Sequence, residues 1–291
     1  MSETPVVVIT GCGGGIGLAT AVAFAEQGYT VVATVRDPSR VDPLTTALAP
    51  YAASSEIIGM DVTDDEAVAN GITDVLKRHG HIAVVVSNAG LGYDGNVEEL
   101  SVEAFRHTME VNFFGAVRLL KAVMPTMRSA GSGRVIAVSS IAGNVGQPFN
   151  DSYCASKFAL EGLFESFHPN AAAHGVHLSL IEPGPVATDF VDKSRGPADA
   201  NQDQIYTAER EGWRAIQDDG FRNAQTAEEV AQQILDIATT DAPHLRYQTS
   251  EGIMKLTALK LKDLTGDRIT SLTRTWIAAP EQSDTYVKFA K

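Results

Sequence analysis

Several short runs of apolar, mostly β-branched residues recur along the chain, and polar positions do not alternate within them. Such runs are typical of strands buried on both faces, as in a parallel sheet, because an exposed face would place polar residues at every second position. The clearest runs are VVVIT (6–10), TVVATV (30–35), IAVVVSN (82–88) and RVIAVSS (134–140), and SEIIGMDV (55–62) and VHLSLIEPG (176–184) fit less cleanly.

Longer segments with helical periodicity separate these runs. Examples are IGLATAVAFAEQG, DDEAVANGITDVLKRHG and SVEAFRHTMEVNFFGAVRLLKAVMPTMRS. Strands that alternate with helices form right-handed βαβ units, which build a sheet from parallel strands. The pattern therefore predicts the α/β class, with one doubly wound parallel sheet and helices on both faces, in a single domain that spans residues 1–291.

The last third of the chain is less regular. Residues 189–222 are polar with scattered aromatic side chains, and we interpret them as an insertion that forms a substrate loop or lid. Order resumes at TAEEVAQQILDIA, where Thr226 and Glu229 match the N-cap and N3 positions of a capping box. We expect residues 223–291 to supply C-terminal helices and the last strand, which the run LRYQ would form.

Composition and charge narrow the class of protein. Apolar residues make up 44% of the 291 positions, and 23 basic against 36 acidic side chains give a net charge of −13. This acidic balance disfavours binding to nucleic acid or to an anionic membrane, because both need basic side chains. No apolar run approaches the roughly 18 residues of a membrane span, and the N-terminus lacks a secretory signal pattern, so we expect a cytoplasmic protein.

Cysteine and histidine indicate neither a disulfide framework nor a metal site. Cys12 and Cys154 lie in segments with other evident purposes, and we interpret both as reduced thiols. Cys154 follows a tyrosine directly, but no dedicated histidine base accompanies it, as a nucleophile would require. The seven histidines show no metal-ligand spacing, so we predict no metal.

A glycine-rich turn separates the first strand from the first helix in ITGCGGGIGLATAVAFAEQG. Glycines there let the backbone approach a pyrophosphate, and a helix N-terminus offers free amides and a partial positive charge. The spacing places Gly11, Gly15, Ile16 and Gly17 as candidate cofactor contacts, although a glycine turn alone also serves as a tight turn. Its position after the N-terminal strand favours a Rossmann-type nucleotide-binding domain.

The end of the second strand bears on the choice of cofactor. An acidic residue there bonds the ribose 2′-hydroxyl of NAD, whereas a basic residue attracts the 2′-phosphate of NADP. In ATVRDPSR, Arg36 follows the strand and Arg40 lies nearby, which favours NADP(H). Asp37 and the lack of a basic or hydroxyl residue within CGGG oppose it, so NAD(H) remains possible.

Tyr153 and Lys157 are four residues apart in DSYCASKFAL. If a helix begins near Ser152, both side chains lie on one face, separated by a rise of about 6 Å. A free tyrosine has a pKa near 10, and a nearby ammonium group lowers that pKa by favouring the phenolate. Their spacing is therefore suited to proton transfer, although two residues on one helix face also occur without any such role.

The sequence resembles the short-chain dehydrogenase/reductase family through an ordered set of motifs. The similarity covers about residues 5–190. Within it, the segment GQPFNDSYCASKFALEGLFES especially resembles the branch that contains 17β-hydroxysteroid and retinol dehydrogenases. The motifs are TGCGGGIG (10–17), DV (61–62), SNAG (87–90), VN (111–112), VSSIAG (138–143), YCASK (153–157) and PGPVAT (183–188). Ser87 departs from the family pattern, in which a second asparagine is frequent.

The resemblance implies a set of cofactor contacts beyond the glycine loop and Arg36. Asp61 and Val62 would lie beside the adenine ring, and Asn88, Ala89 and Gly90 would support the central edge of the sheet near the cofactor. The residues expected to flank the nicotinamide carboxamide are Pro183, Gly184, Val186 and Thr188.

The resemblance also implies four catalytic residues. Tyr153 would exchange a proton with the substrate oxygen, and Lys157 would lower the tyrosine pKa and bind the nicotinamide ribose, so both also count as cofactor contacts. Ser140 would hydrogen-bond the substrate oxygen, and Asn112 would hold a water molecule in a proton relay. Without the family pattern, the serine reads equally as the end of a strand, and the asparagine as a partner for buried backbone groups.

These inferences predict an oxidoreductase that interconverts a small apolar carbonyl and an alcohol. Two alternatives stay open: a non-catalytic nucleotide sensor, which the intact Ser140, Tyr153 and Lys157 oppose, and a nucleotide-sugar epimerase, which the glycine spacing opposes. The resemblance further implies a homodimer or homotetramer. We expect the substrate to contact Asn144, Val145, Phe149, Phe190, Tyr206, Trp213 and Phe221, near the carboxyl ends of the strands.

Overall fold

The structure, a computed structural model, describes residues 4–39, 41–190 and 204–277. Within these residues, seven strands form one sheet in the order β3-β2-β1-β4-β5-β6-β7, and every neighbouring pair is parallel. The strands are β1 (Val6–Ile9), β2 (Thr30–Val35), β3 (Ser55–Gly59), β4 (Val84–Ser87), β5 (Gly133–Val138), β6 (Val176–Glu182) and β7 (Arg246–Gln248). The predicted doubly wound α/β fold is confirmed.

Helices cover both faces of this sheet, as the alternation of patterns predicts. They are α1 (Gly15–Glu26), α2 (Asp42–Leu48), α3 (Asp65–His79), α4 (Val102–Met109), α5 (Gly115–Ala130), α6 (Asp151–Ala172), α7 (Thr207–Arg222), α8 (Ala227–Thr239), α9 (Glu251–Leu261) and α10 (Asp267–Thr275). In β1, Val6 and Val8 pack on the face covered by α3, α5 and α6, whereas Val7 and Ile9 pack on the face covered by α1, α2 and α8. This two-sided burial explains why the strand sequences do not alternate.

A third apolar cluster lies beyond the two sheet faces. It joins α7, α9 and α10 to the segment after β5, and Trp213 stacks on Trp276 with 5.7 Å between the ring centroids. The cluster also buries Val145 and Phe149, so these two residues belong to a packing surface. The C-terminal helices therefore support the segment that carries the candidate site.

Two local features differ from the sequence predictions. The continuous helical pattern of residues 101–129 is divided into α4, a π-helical turn at Glu110–Phe114, and α5. Residues 207–222, interpreted as a weakly periodic loop, form helix α7, whose buried residues include Arg210, Trp213 and Ile216. In contrast, the capping box of Thr226 and Glu229 is present at the start of α8.

Candidate active site

The glycine loop (residues 11–17) joins the carboxyl end of β1 to the N-terminus of α1. Gly11 has φ +73°, and a Cβ atom added to Gly17 would lie 2.4 Å from the Gly11 carbonyl oxygen, so a larger residue cannot fit there. Gly13 and Gly14, in contrast, have no atom within 4 Å of an added Cβ. The loop is therefore tightly packed on its inner side and open above the helix N-terminus, which is the arrangement that a pyrophosphate requires.

Hydrogen bonds between Thr10 and Asn88 attach this loop to the end of β4, the neighbour of β1 in the sheet. The Thr10 hydroxyl accepts hydrogen bonds from the backbone amides of Asn88 and Ala89, at 3.0 and 3.1 Å. The Asn88 amide nitrogen donates to the carbonyl oxygens of Thr10 and Gly11, at 2.9 and 3.2 Å. The sequence analysis did not assign Thr10 a role, although its place directly before the first glycine was a usable signal.

A cavity of about 670 Å³ extends from the glycine loop across the carboxyl ends of the strands. Most of the predicted site residues line it: Gly11, Gly15, Ile16, Arg36, Asp61, Val62, Asn88, Ala89, Gly90, Ser140, Tyr153, Lys157, Pro183, Gly184, Val186 and Thr188. Gly17 and Asn112 do not line the cavity, and Arg40 lies outside the described residues.

Ser140, Tyr153 and Lys157 meet on one side of this cavity. Ser140 follows β5, and its side chain hydrogen-bonds that of Tyr153 in the first turn of α6. The Lys157 Nζ atom lies 5.5 Å from the Tyr153 ring centroid and donates to the Val138 carbonyl oxygen at 2.8 Å. The predicted spacing on one helix face therefore brings both side chains to the end of β5.

Burial controls the ionisation of Tyr153 and Lys157. Burial raises the pKa of the Tyr153 phenol above its usual value, and the hydrogen bond with Ser140 offsets this only in part. Burial also lowers the pKa of Lys157 to about 8, while the charge of Glu161 acts in the opposite direction. The largest effect on the phenol is desolvation of the phenolate, which opposes the lowering expected from Lys157, and that role of the lysine stays a prediction.

Asn112 lies in the π-helical turn between α4 and α5 and is 3% exposed. Its amide oxygen accepts from the Leu91 amide, and its amide nitrogen donates to the Leu91 carbonyl oxygen, both at 2.8 Å. The same nitrogen donates to the Ser156 hydroxyl at 2.9 Å. Asn112 thus ties the loop after β4 to α6, one position before Lys157.

Part of the cavity wall is formed by large apolar side chains. Phe190 lies with its ring centroid 5.5 Å from that of Tyr153, and α7 contributes Trp213, Ile216 and Phe221. Of the predicted substrate contacts, Asn144, Val145, Phe149 and Tyr206 do not line the cavity. Val145 and Phe149 are instead buried in the third apolar cluster, and Tyr206 packs against Phe149.

Arg210 fastens α7 to the segment before α4. It is 6% exposed and forms ion pairs with Asp94 at 3.0 Å and with Glu99 at 2.5 Å, and its guanidinium carbon lies 4.5 Å from the Phe149 ring centroid. No sequence signal identified this residue, because its acidic partners are more than 100 positions earlier in the chain. Arg210 holds the apolar wall over the tyrosine.

The described residues contain neither a group of three potential metal-ligating side chains nor a helix long and apolar enough to cross a membrane. Cys12 and Cys154 are both buried free thiols, and burial raises the pKa of each to about 12. A glycine loop at the carboxyl edge of a parallel sheet, beside a tyrosine and a lysine on one helix face, defines a dinucleotide-binding oxidoreductase.

Comparison with known proteins gives the family. The family model described as short chain dehydrogenase matches residues 5–198, and the chain belongs to the short-chain dehydrogenase/reductase family of NAD(P)-dependent oxidoreductases. Human (Homo sapiens) 17-beta-hydroxysteroid dehydrogenase type 1 is 42% identical over 280 residues, which cover 92% of this chain and 85% of that protein. Retinol dehydrogenase 8 of Bos taurus is 37% identical, with coverage of 91% and 88%.

Solved structures give the same result. A short-chain dehydrogenase from Streptomyces avermitilis superposes with a TM-score of 0.80 at 30% identity, and the match covers 95% of this chain and 97% of that one. An alcohol dehydrogenase from the archaeon Thermococcus sibiricus, solved in complex with 5-hydroxy-NADP, has a TM-score of 0.70 at 27% identity, with coverage of 84% and 96%.

The ion pairs of Arg210 yield a prediction about stability. We expect Arg210→Met to lower the free energy of unfolding by about 3–5 kcal/mol, because it leaves the buried Glu99 carboxylate without its cation. Arg214→Met is the matched control: Arg214 lies 3.7 Å from the same Asp94, but its side chain is 48% exposed. Urea unfolding should show a change below about 1 kcal/mol for the control, and equal effects in both variants would contradict this account.

Proposed function

We propose that the protein is an NADP(H)-dependent oxidoreductase that interconverts a carbonyl and a secondary or primary alcohol, with Tyr153 as the general acid and base. The observation that supports this most is the meeting of Ser140, Tyr153 and Lys157 at the cavity onto which the glycine loop opens. A nicotinamide cofactor in this cavity would supply or accept the hydride at the substrate carbon.

In this proposal the protein handles the proton. During reduction, the Tyr153 hydroxyl donates its proton to the carbonyl oxygen, while the Ser140 hydroxyl hydrogen-bonds that oxygen and stabilises its developing negative charge. During oxidation, the tyrosine phenolate accepts the hydroxyl proton of the alcohol. Because burial raises the Tyr153 pKa, the protonated phenol is the form present at neutral pH, and this form serves reduction directly.

Lys157 and Asn112 have supporting roles in this proposal. The ammonium group of Lys157, within 5.5 Å of the tyrosine ring, stabilises the phenolate that forms when Tyr153 gives up its proton, and it would bind the nicotinamide ribose. The Asn112 side chain is engaged by Leu91 and Ser156, so it orders the loop beside Lys157. We propose that the relay water held near Asn112 connects Lys157 to solvent.

The end of β2 supports NADP(H). Arg36 is exposed at the cavity. Asp37, which would favour NAD(H), directs one carboxylate oxygen toward Ser39, where it accepts from the backbone amide at 2.9 Å and from the hydroxyl at 2.6 Å. The Thermococcus sibiricus relative was solved with an NADP derivative, in agreement with this choice. NAD(H) remains the alternative cofactor.

The cavity supports a large apolar substrate. Phe190, Trp213, Ile216 and Phe221 form its wall, and Arg210 fixes the helix that carries three of them. The two relatives compared above are named for a hydroxysteroid and for retinol, which are large apolar alcohols. We propose an apolar substrate of this kind, which is larger than the small carbonyl or alcohol predicted from the sequence, and α7 is the part of the predicted lid that would cover it.

A homo-oligomer is part of the proposal. Phe114 in the π-helical turn and Phe158 in α6 are 43% and 41% exposed, and these two elements pack against each other. Large exposed apolar side chains on adjoining elements are typical of a surface that contacts another subunit. We propose that this surface joins subunits of a homodimer or homotetramer.

Tyr153→Phe tests the proton transfer. We expect kcat to fall by about 100-fold or more, because general acid catalysis is lost, while NADPH still quenches the protein fluorescence with a similar Kd. Tyr51→Phe removes a phenol that hydrogen-bonds Glu26 outside the cavity and serves as the control. An undiminished rate in Tyr153→Phe would remove the mechanism.

Arg36→Asp tests the cofactor choice. The substitution places a negative charge where the 2′-phosphate is expected, so the ratio of kcat/KM for NADPH to that for NADH should fall by about 100-fold. Arg268→Asp makes the same charge change at an exposed position of α10 and should leave the ratio unchanged. An unchanged ratio in Arg36→Asp would exclude the arginine from cofactor recognition.

Phe158→Glu tests the subunit contact. We expect the wild-type protein to sediment as a dimer or tetramer and the variant as a monomer, because burial of a charge at the contact is costly. Leu264→Glu changes a residue that is 97% exposed and lies between α9 and α10, so it should leave the assembly intact. A monomeric wild-type protein would refute the proposed oligomer.

A further inference from the structure

A buried cluster of charged side chains lies next to Lys157 but outside the cavity lining, and the proposed mechanism does not use it. Glu161 follows Lys157 by one turn of α6, Glu182 ends β6, and Arg246 begins β7. Glu161 is 5% exposed and Glu182 is fully buried. Buried carboxylates are costly without charged or hydrogen-bonding partners, so the contacts of Glu161 and Glu182 determine their charge.

One guanidinium group serves both buried carboxylates. The Arg246 Nε atom lies 2.9 Å from Glu161 Oε2 and 3.5 Å from Glu182 Oε1. The Nη2 atom of Arg246 pairs at 2.6 Å with Glu165, whose side chain is 65% exposed. Gln248 donates to Glu182 Oε2 at 2.8 Å. Arg246 is therefore shared by the two buried acids, and Lys157 is a second cation that acts on Glu161.

The burial of both carboxylates and the long 3.5 Å contact between Glu182 and Arg246 favour a proton on the acid pair. Glu161 Oε1 and Glu182 Oε1 are buried, and the uncharged side chains of Ser139 and Asn144 lower the pKa of Glu161 and of Glu182, respectively. Burial and the neighbouring Glu161 raise the pKa of Glu182 to about 7. Burial also raises the pKa of Glu161, although Ser139 and Arg246 act in the opposite direction. The pair thus takes up a proton near neutral pH, which belongs to the pair rather than to one residue.

The pair is coupled to Lys157 through Glu161. Residues four apart on a helix are neighbours, and the opposite charges of Lys157 and Glu161 stabilise each other. The turn after Ser140 packs directly on Glu161, because a Cβ atom added to Gly143 would lie 2.9 Å from Glu161 Cγ and 2.8 Å from Ser139 Oγ. The acid pair therefore adjoins both Lys157 and the turn that follows Ser140.

We propose that Glu161 is a positioning residue of the reaction: as a member of the buried acid pair with Glu182, it supplies the negative charge that keeps the Lys157 side chain an ammonium ion. The charged groups that face it are Lys157 and Glu165 from α6, Glu182 from β6 and Arg246 from β7. The inference rests on the proposed function, because it takes Lys157 as the group that supports the tyrosine.

The pH profile of kcat/KM tests the effect on the reaction. In Glu161→Gln the ammonium group loses its neighbouring opposite charge, so the alkaline limb should move to lower pH by about one unit. Glu165→Gln is the matched control, because it removes an exposed carboxylate from the same Arg246, and it should leave the limb in place. Glu161→Asp retains the charge and should restore most of the wild-type profile.

A titration of the apo protein tests the same effect without turnover. With ¹³C-labelled lysine, the NMR signal that is lost in Lys157→Met reports the Lys157 pKa, which Glu161→Gln should lower and Glu165→Gln should not. An unmoved lysine titration together with an unmoved alkaline limb would overturn the inference. If Tyr153→Phe kept the full rate, the proposed function would fail, yet this titration would still decide whether Glu161 controls Lys157.

The acid pair has its own test, which does not require Glu161→Gln to fold. The folded-state pKa of Glu182, about 7, exceeds the value of about 4.3 in an unfolded chain, so the folded state binds more protons between these values and loses stability as the pH rises through them. Glu182→Gln removes this loss. The urea midpoint of Glu182→Gln minus that of the wild type should therefore be larger at pH 7.5 than at pH 5. A difference that does not change with pH would refute the shared proton.

Discussion

The buried ammonium group of Lys157 is the constraint on which the rest of the site depends. The residue is 4% exposed, and an isolated charge in such a place is costly. The structure offsets this cost with the Val138 carbonyl oxygen at the end of β5 and with Glu161 on the same helix face. Because Ser140 follows β5 by only two residues, the strand end that stabilises the lysine also carries the serine that bonds Tyr153. One packing arrangement between β5 and α6 therefore positions the three side chains together.

The parallel sheet brings the nucleotide loop to the same place. β1 and β4 are neighbours, and their carboxyl ends are joined by the hydrogen bonds between Thr10 and Asn88. β4 in turn pairs with β5, so the glycine loop and the tyrosine share one edge of the sheet. The glycine loop and the first turn of α6 therefore both reach the cavity directly from the strand ends. Contacts made at separations of 76 to 79 residues thus depend on strand order rather than on local sequence.

Patterns that depend on local chemistry could be predicted from the sequence. Two-sided burial makes the parallel strands continuous apolar runs, and the Thr226 capping box follows from two residue types at fixed spacing. The strand lengths were less predictable, because IAVVVSN yields only Val84–Ser87, where the pairing with β1 and β5 ends. Helix α7 was missed, since its buried face includes Arg210, and an arginine in a polar segment resembles a solvent-exposed residue until its acidic partners are located.

The candidate site likewise combines features that local sequence predicts with features that depend on distant contacts. Most residues of the glycine loop line the cavity, as do Tyr153 and Lys157, and both sets have fixed intervals in the sequence. The substrate contacts were predicted less well, because the expected position near the carboxyl ends of the strands placed Val145 and Phe149 in the cavity, whereas packing against the C-terminal helices buries them elsewhere. The burial that raises the Tyr153 pKa was not predictable, since the sequence shows the neighbouring charge of Lys157 but not the depth at which the phenol lies.

Arg210 and Arg246 pair with acidic side chains in different ways. Arg210 is buried and faces Asp94 and Glu99, whereas Arg246 is partly exposed and faces Glu161, Glu165 and Glu182, in a chain with an overall excess of negative charge. Arg210 contacts Asp94 and Glu99 through separate nitrogen atoms at 3.0 and 2.5 Å, so each acid has a direct partner. Arg246 offers its Nε atom to both Glu161 and Glu182, and the second distance is 3.5 Å. The direct pairing of Arg210 with both acids suits its role of holding α7 in place. The weaker contact between Arg246 and Glu182 instead allows the acid pair beside Lys157 to bind a proton.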